Sequence, residues 1–561
     1  MTMQNEPIRT HGANDSEPRS LRASILHRLD DAVLDVLVVG GGINGAVTAA
    51  ALSARGAKVG LVEKGDFGSS TSQESSNLIW GGVKYLETVE LGLVRKLCRS
   101  RNELLRSFPS SVREIRFYAT HARGFRHGRW KLILGVLLYW AIGLFFTRRP
   151  RPLSLSTMAK EEPVLSLEGL DGGFEYSDAY LPDGDARFVW RFVRSALDHG
   201  CLASNYLEAL GSRREGDHWV TRAKDLVTGR ELTIRSRMLV NACGPYADAV
   251  NGRDGVATEH RHFLSKGIHL LVDRVTPSRR VLTFFADDGR LFFAIPMGSR
   301  TCVGTTDTPV EQPGVGVTPE DRRFVLDNIN KRLRLSRPLE ERDIISERCG
   351  VRPLAVGRRG AAGRDWMQLS RRHVIETDAA ARHVTIFGGK LTDCLNIGER
   401  LCAEATRLGV TLPWPRHAWY GEPPAADREA YQHQARLLGL DELAPKDGAE
   451  ESPSARLWRR YGLEALSLLE DIRRDPRAAE PVLPSSSVLR CEVEAASRRE
   501  LVVSLEDFLR RRTDIALTVR RDELRRAPGL REVSRVLFGD AGDEQRARYF
   551  PEDEARIAVP A

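Results

Sequence analysis

Gly40, Gly42 and Gly45 stand in the order G-x-G-x-x-G directly after the β-branched run "DVLVVG" of Asp35–Gly40. At that spacing the first glycine permits a tight turn and the second lets backbone approach a pyrophosphate. The third lets the following helix pack closely on the strand. A helix beginning there offers its unpaired N–H groups to phosphate oxygens. Ala-rich chain continues to about Arg55, and "KVGLVEK" supplies a second strand ending in Glu63, placed to accept hydrogen bonds from a ribose diol. Strand, turn, helix, strand and acid in that order predict a dinucleotide-binding unit; the glycines alone would not. NAD and FAD share the half that this unit binds, and the next stretch separates them. A nicotinamide domain would proceed to another βα unit, whereas Gly68–Gly82 is a long Ser/Thr-rich loop, suited to donating hydrogen bonds along an extended cofactor.

The elements that must hold such a site are spread along a chain of 561 residues, too long for one core, so two or three domains are expected. A hydrophobic content of 42% with 29% charged residues describes a folded chain, not a disordered one. The net charge of +8 and pI near 9.1 come from arginines distributed throughout, which argues against a nucleic-acid binder with one basic segment. Eight cysteines occur without C-x-x-C or metal-ligand spacing, as expected in a reducing compartment, and no metal is called for. Residues 1–30 are polar and lack an apolar stretch, so a disordered leader is expected.

Further along, "ELTIRSRMLVNACGPYAD" becomes an apolar strand ending at Gly244, and "VTIFGGKLT" repeats that design with Gly388 and Gly389 before a helix from about Thr392. A helix N-terminus at that place would stabilise an anionic cofactor through its dipole. The cofactor and substrate parts together are expected over 31–410, with the substrate part threaded through about 85–380. Residues 411–450 mix Pro, Gly and charge and are expected to form a linker. Residues 451–561 are expected to be a helical domain whose many arginines form a solvated face. Leu132–Phe146 is an uninterrupted apolar run of 15 residues with bases and aromatics on both flanks. It is short for a bilayer core of ~30 Å. Either a buried helix or a monotopic element at the membrane interface, within 130–149, fits it.

The segments "GGGINGA", "TSQESSNLIWGGVKYLE", "GGFEYSDAYLPDGDAR", "VNACGPYAD", "SKGIHL", "GTTD", "GVRPL" and "FGGKLT" resemble, in order and spacing, the FAD-dependent glycerol-3-phosphate dehydrogenases. The C-terminal "EVEAASRRELVVSLEDFLRRRTDIAL" resembles that family's helical cap, and the likeness covers roughly residues 33–530. The resemblance implies an α/β FAD-binding Rossmann-like domain interleaved with an α+β substrate domain, followed by a C-terminal α-helical domain. It implies non-covalent FAD held by Gly40, Gly42, Asn44, Gly45, Glu63, Ser72, Ser76, Gly81, Gly82, Gly244, Gly388, Gly389 and Leu391. Catalysis is expected from His269, Arg352 and Lys390, and substrate binding from Lys84, Tyr85, Thr392 and Arg371, with Arg372 the alternative to Arg371 one position on. The implied reaction is oxidation of sn-glycerol 3-phosphate to dihydroxyacetone phosphate, with electrons passed to a membrane quinone. The implied location is cytoplasmic, peripheral on the inner face of the cell membrane, with a homodimer possible. Two departures stand out: Trp80 and Lys84 occupy positions where the family usually has His and Arg. Trp80 cannot act as a base, and Lys84 keeps the charge but loses the bidentate fork. A related small hydroxy compound, with or without phosphate, is therefore also open as substrate. An oxygen-using FAD oxidase of hydroxy or amino compounds and a non-catalytic flavin-carrying membrane protein are the alternative functions.

Overall fold

The computed structural model describes residues 21–551 except 88, 288, 305, 359–371 and 445–450. Two sheets form its body. In the first, of eight strands, Val59–Val62, Val33–Val39, Glu231–Asn241 and His383–Phe387 lie side by side and parallel. Val36, Leu37, Val38 and Leu61 are fully buried, as expected of a parallel sheet covered on both faces. The helix Ile43–Ala54 follows the glycine turn and packs between the helices Asp185–Asp198 and Cys394–Arg407. Its small side chains permit that approach: Ala49, Ala50 and Ala51 are all buried.

The second sheet has ten strands, mostly antiparallel, from Leu78–Ile79 to Ser346–Gly357. Because Leu202–Ser204 and Glu231–Asn241 belong to the first sheet, the chain passes back and forth between the two, and the expected interleaving is present. Helices from Ala425 to Tyr549 surround two apolar clusters, one around Tyr431 and Trp458 and one around Phe508 and Leu530.

Three expectations need correction. Residues 21–30 are not a disordered leader: Leu21–Leu29 is a helix whose Ile25, Leu26 and Leu29 join the core of the first sheet. The expected linker 411–450 contains the helix Ala425–Leu438, whose Tyr431 and Ala435 are core residues of the C-terminal domain. The apolar run at 132–146 is neither wholly core nor wholly surface. It lies in the helix Arg129–Ile142 and its tail, with Ile133, Val136 and Tyr139 buried and Trp130, Leu134 and Leu138 exposed on another face. Leu144 and Phe145 follow in left-handed conformation, both exposed. No described helix is long and apolar enough to cross a membrane.

Candidate active site

The turn after Val33–Val39 is built as its sequence requires. Gly40 has φ +104°, and a methyl group there would lie 2.6 Å from the Ala242 carbonyl oxygen. A methyl on Gly45 would lie 1.8 Å from the Gly40 carbonyl oxygen, so only glycine allows the helix to begin where it does. A cavity of about 780 Å³ opens on this turn, lined by Gly40, Gly42, Asn44, Glu63, the loop 68–74, Gly244 and Gly388–Gly389. The Glu63 carboxylate accepts the N–H groups of Gly41 and Gly65, each at 2.7 Å. Burial pushes this carboxyl above its ordinary range, against the pull of those two donors. Each of its oxygens retains a lone pair for a ribose hydroxyl. Asn44 donates to the Gly388 carbonyl at 3.1 Å, while its own carbonyl oxygen is buried without a partner. The glycine cradle, the buried acceptor at Glu63 and the orphaned Asn44 oxygen fit the ADP half of a dinucleotide.

A second cavity of about 330 Å³ adjoins the first, sharing Ile43, Thr71, Ser72, Pro353, Gly388 and Gly389. Ser76, Leu391 and Thr392 also line it. Its charge is lopsided. Lys84, Arg290, Arg352, Arg372 and Lys390 face Asp307 alone among the described lining residues, so an anionic occupant is favoured. Arg352, on the strand Ser346–Gly357, lies over Gly267 of the paired strand His260–Asp273, where a methyl would meet the guanidinium at 2.1 Å. Its Nη1 donates to the Thr306 carbonyl at 3.3 Å and to Asp307 at 3.4 Å. The Lys390 ammonium donates to the Tyr85 hydroxyl and sits 4.2 Å from that ring and 5.5 Å from the Trp80 ring. Thr392 donates to the Trp80 carbonyl at 3.2 Å, tying the Gly388–Thr392 loop to the Trp80–Tyr85 turn.

Not every expected residue reaches a cavity wall. Tyr85 stands behind Lys390, and Gly45 backs the first turn. Gly81 and Gly82 support the loop: Gly81 donates to buried Asp178 at 3.2 Å, and Gly82, at φ +83°, turns the chain into Val83–Leu86. His269 lies on the strand His260–Asp273, two residues beyond Gly267, beneath the wall and not in it. It is 2% exposed, and neither ring nitrogen has a partner. Burial, helped by Arg352 and Arg348, lowers its pKa to about 3, so the ring is neutral. Arg371 lies outside the described residues, and its neighbour Arg372 lines the cavity.

The sequence reading missed Arg290 and Asp307; the signal available for Asp307 was its place in "GTTD". It also misjudged the C-terminal arginines, which are in part buried anchors of the cofactor loop. Arg511 and Arg512 each reach Asp66 at 2.7 Å, and Arg510 reaches Glu74 at 3.0 Å. Burial would raise the Asp66 carboxyl, but Arg512 and Arg511 overcome it and hold the group at about 2. The loop that borders both cavities is thus fastened from the C-terminal domain.

Comparison with known proteins matches this architecture over most of the chain. The pattern of the FAD dependent oxidoreductases covers residues 35–389, and that of the C-terminal domain of alpha-glycerophosphate oxidase covers 428–537. An aerobic glycerol-3-phosphate dehydrogenase of Staphylococcus aureus is 32% identical over 504 residues, 88% of each chain. One from Staphylococcus epidermidis is 31% identical over 378 residues, spanning 66% of each chain. The crystal structure of the glycerol-3-phosphate dehydrogenase of Bacillus halodurans, complexed with FAD, superposes with a TM-score of 0.70 at 25% identity, covering 96% of this chain and 97% of that one. The L-alpha-glycerophosphate oxidase of Mycoplasma pneumoniae shares the fold at a TM-score of 0.51 and 18% identity. With the cofactor cradle, the cationic cavity beside it and both patterns in register, the chain belongs to the FAD-dependent oxidoreductases and, within them, to the aerobic glycerol-3-phosphate dehydrogenase family.

Proposed function

We propose that this enzyme oxidises sn-glycerol 3-phosphate to dihydroxyacetone phosphate with non-covalently bound FAD and delivers the electrons to a membrane quinone. The observation that carries the reading is the five-cation cavity joined to the cofactor cavity. A dianionic phosphate suits five cations far better than an amine or a neutral polyol does. FAD, when bound, supplies the hydride acceptor for the alcohol carbon. Arg352 gives the phosphate a planar, bidentate donor, and Lys84 adds a point charge. Arg371 is the second phosphate ligand that the resemblance implies, with Arg372 beside it. Lys390, held from behind by its hydrogen bond to the Tyr85 hydroxyl, orients the alcohol oxygen from one side of the cavity. Taking the hydroxyl proton requires an uncharged base, and His269, which lies behind the cavity wall near Arg352, is neutral and has one unprotonated ring nitrogen to accept it. Trp80 takes no proton; its ring walls the cavity beside Lys390 and excludes water.

The helix Arg129–Ile142 supports a peripheral position on the inner face of the cell membrane. Trp130, Leu134 and Leu138 recur at four-residue intervals on its exposed face, and Leu144 and Phe145 extend that apolar surface. Exposed Arg123, Arg126, Lys131, Arg148 and Arg149 rim it, matched to anionic headgroups. Anaerobic mixing with glycerol 3-phosphate tests the chemistry: prompt bleaching of the flavin band is expected, followed by reoxidation by a soluble quinone faster than by oxygen. Bleaching by amino or 2-hydroxy acids but not by glycerol 3-phosphate would overturn the substrate assignment.

A further inference from the structure

Asp248, the last residue of "VNACGPYAD", lines neither cavity, yet a chain of hydrogen bonds joins it to the loop between them. It lies on the short helix Ala247–Arg253, just after the turn at Gly244. Its Oδ2 accepts twice from one residue: from the backbone N–H of His262 at 2.8 Å and from the ring Nδ1 at 3.0 Å. His262 stands on the strand His260–Asp273, opposite Ala355, with its side chain buried. The far ring nitrogen, Nε2, accepts the N–H of Gly388 at 3.1 Å. Gly388 borders both cavities, and Gly389, Lys390 and Thr392 follow it along the substrate cavity.

This order of bonds admits one form of the ring. A backbone N–H only donates, so Nε2 carries no proton and turns its lone pair to Gly388. The ring proton then sits on Nδ1, where the Asp248 carboxylate accepts it. Burial would raise the Asp248 carboxyl, but the ring and N–H of His262, with Arg358 nearby, hold it below its ordinary range, so the acceptor is ionised. The Phe387 ring, 5.0 Å from the imidazole, packs beside it. Gly388 is held from its other side as well. Its carbonyl accepts from Asn44 Nδ2 at 3.1 Å, in the first turn of the helix that follows the dinucleotide glycines. At φ +65° Gly388 has a conformation that its own sterics do not single out, because glycine enters several regions with equal ease. Its partners must therefore choose it.

We propose that His262, oriented by Asp248, is a positioning residue of the active site, fixing the Gly388 peptide and with it the loop that borders the cofactor and substrate cavities. Histidine suits the place because its neutral ring donates on one edge and accepts on the other, between a carboxylate and an N–H. The loop leads into the turn Leu391–Asp393 and the helix Cys394–Arg407, whose N-terminal N–H groups favour a negatively charged cofactor. Releasing Gly388 should thus weaken the hold on FAD, and on its reduced, anionic form most. Neither effect involves the substrate.

Two measurements on the holoenzyme read these effects without substrate: FAD release on dilution, followed by free-flavin fluorescence, and the midpoint potential from anaerobic titration against a reference dye. His262→Leu leaves the Gly388 N–H without an acceptor and should weaken FAD binding by roughly tenfold or more. A further factor of about ten against the reduced form would lower the two-electron midpoint potential by about 30 mV. His262→Gln, whose side-chain oxygen can accept from Gly388, should restore most of both. A histidine that only filled space would be replaced at least as well by leucine as by glutamine. Asp248→Ala unlocks the tautomer and should move both readings in the same direction as His262→Leu, and it should add little when combined with it. Should His262→Leu fail to fold, Asp248→Ala and His262→Gln carry the test, the first expected to lose affinity and potential and the second to stay near wild type. Wild-type readings in His262→Leu or Asp248→Ala, equal losses in His262→Leu and His262→Gln, or additive losses in the double variant overturn the proposal and leave the ring as core packing.

Discussion

Replacing Leu134 and Leu138 together with glutamate tests the exposed face of the helix Arg129–Ile142. The two side chains are 67% and 50% exposed, so together they offer a membrane a little more than one whole leucine. Full burial of a leucine is worth about 1.5–3 kcal/mol, which puts their joint contribution near 2–3.5 kcal/mol before the cost of bringing carboxylates to the interface. Vesicle partitioning should fall by roughly 30- to 300-fold or more, measured by co-sedimentation with anionic vesicles at fixed salt. Because no packed core depends on these atoms, flavin content and anaerobic reduction by glycerol 3-phosphate should persist. Val136→Glu is the contrasting variant. Val136 is 3% exposed, about half a helical turn from either leucine on the inward face, and an unpaired carboxylate there costs several kcal/mol. It should reduce folding yield and FAD retention, not merely release the enzyme. Undiminished sedimentation of the Leu134→Glu, Leu138→Glu enzyme would refute the assignment of this face to lipid. Loss of flavin from that double variant would show that the face carries core packing after all.

The remaining expectations concern the two cavities and the loop between them. Arg352→Ala should lower kcat/KM by roughly ten- to a hundredfold, the worth of a charge-assisted phosphate contact, whereas Arg213→Ala, at an exposed side chain, should not; equal effects would remove Arg352 from the site. His269→Gln should slow flavin reduction by about a hundredfold or more. Because His269 titrates near 3, it should contribute no acid limb near pH 6.5 to the wild-type profile, and a limb there that vanishes in His269→Gln would contradict its neutral state. Asp66, held at about 2, stabilises the cofactor loop above the ordinary carboxyl range, and that stabilisation, on the order of 2 kcal/mol, is lost as pH falls from about 4 through 2. Flavin fluorescence should report FAD release across that window, and Asp66→Asn should already be weakened at pH 7. Acid precipitation should leave the yellow colour in the supernatant; colour in the pellet would mean a covalent link.

What the sequence reveals depends on how far apart the cooperating residues lie along it. Gly40, Gly42, Gly45 and Glu63 sit within one βαβ unit, so the local spacing carries the whole physical argument and the cavity forms where it was expected. The apolar run at 132–146 is also local, but its period is hidden because both faces of the helix are apolar: Ile133 and Val136 turn to the core while Leu134 and Leu138 turn outward. Hydrophobicity alone cannot divide those pairs, and only the neighbours that cover one face do so. His269 and Arg352 needed more. Their relation is set by strand register, Ser265 opposite Arg352 and His269 opposite Arg348, between segments some eighty positions apart, and no spacing in the chain encodes it.

The C-terminal arginines mark the far end of that scale. As letters, Arg510, Arg511 and Arg512 suggest a solvated cationic surface, which is what most such runs are. Their partners Asp66 and Glu74 lie more than four hundred residues earlier, in a stretch that looks like cofactor loop and nothing else. Removing either half leaves a buried charge unpaired, at a cost of about 3–5 kcal/mol in comparable cases. The C-terminal domain is therefore coupled to the cofactor site by physics that acts only after both have folded.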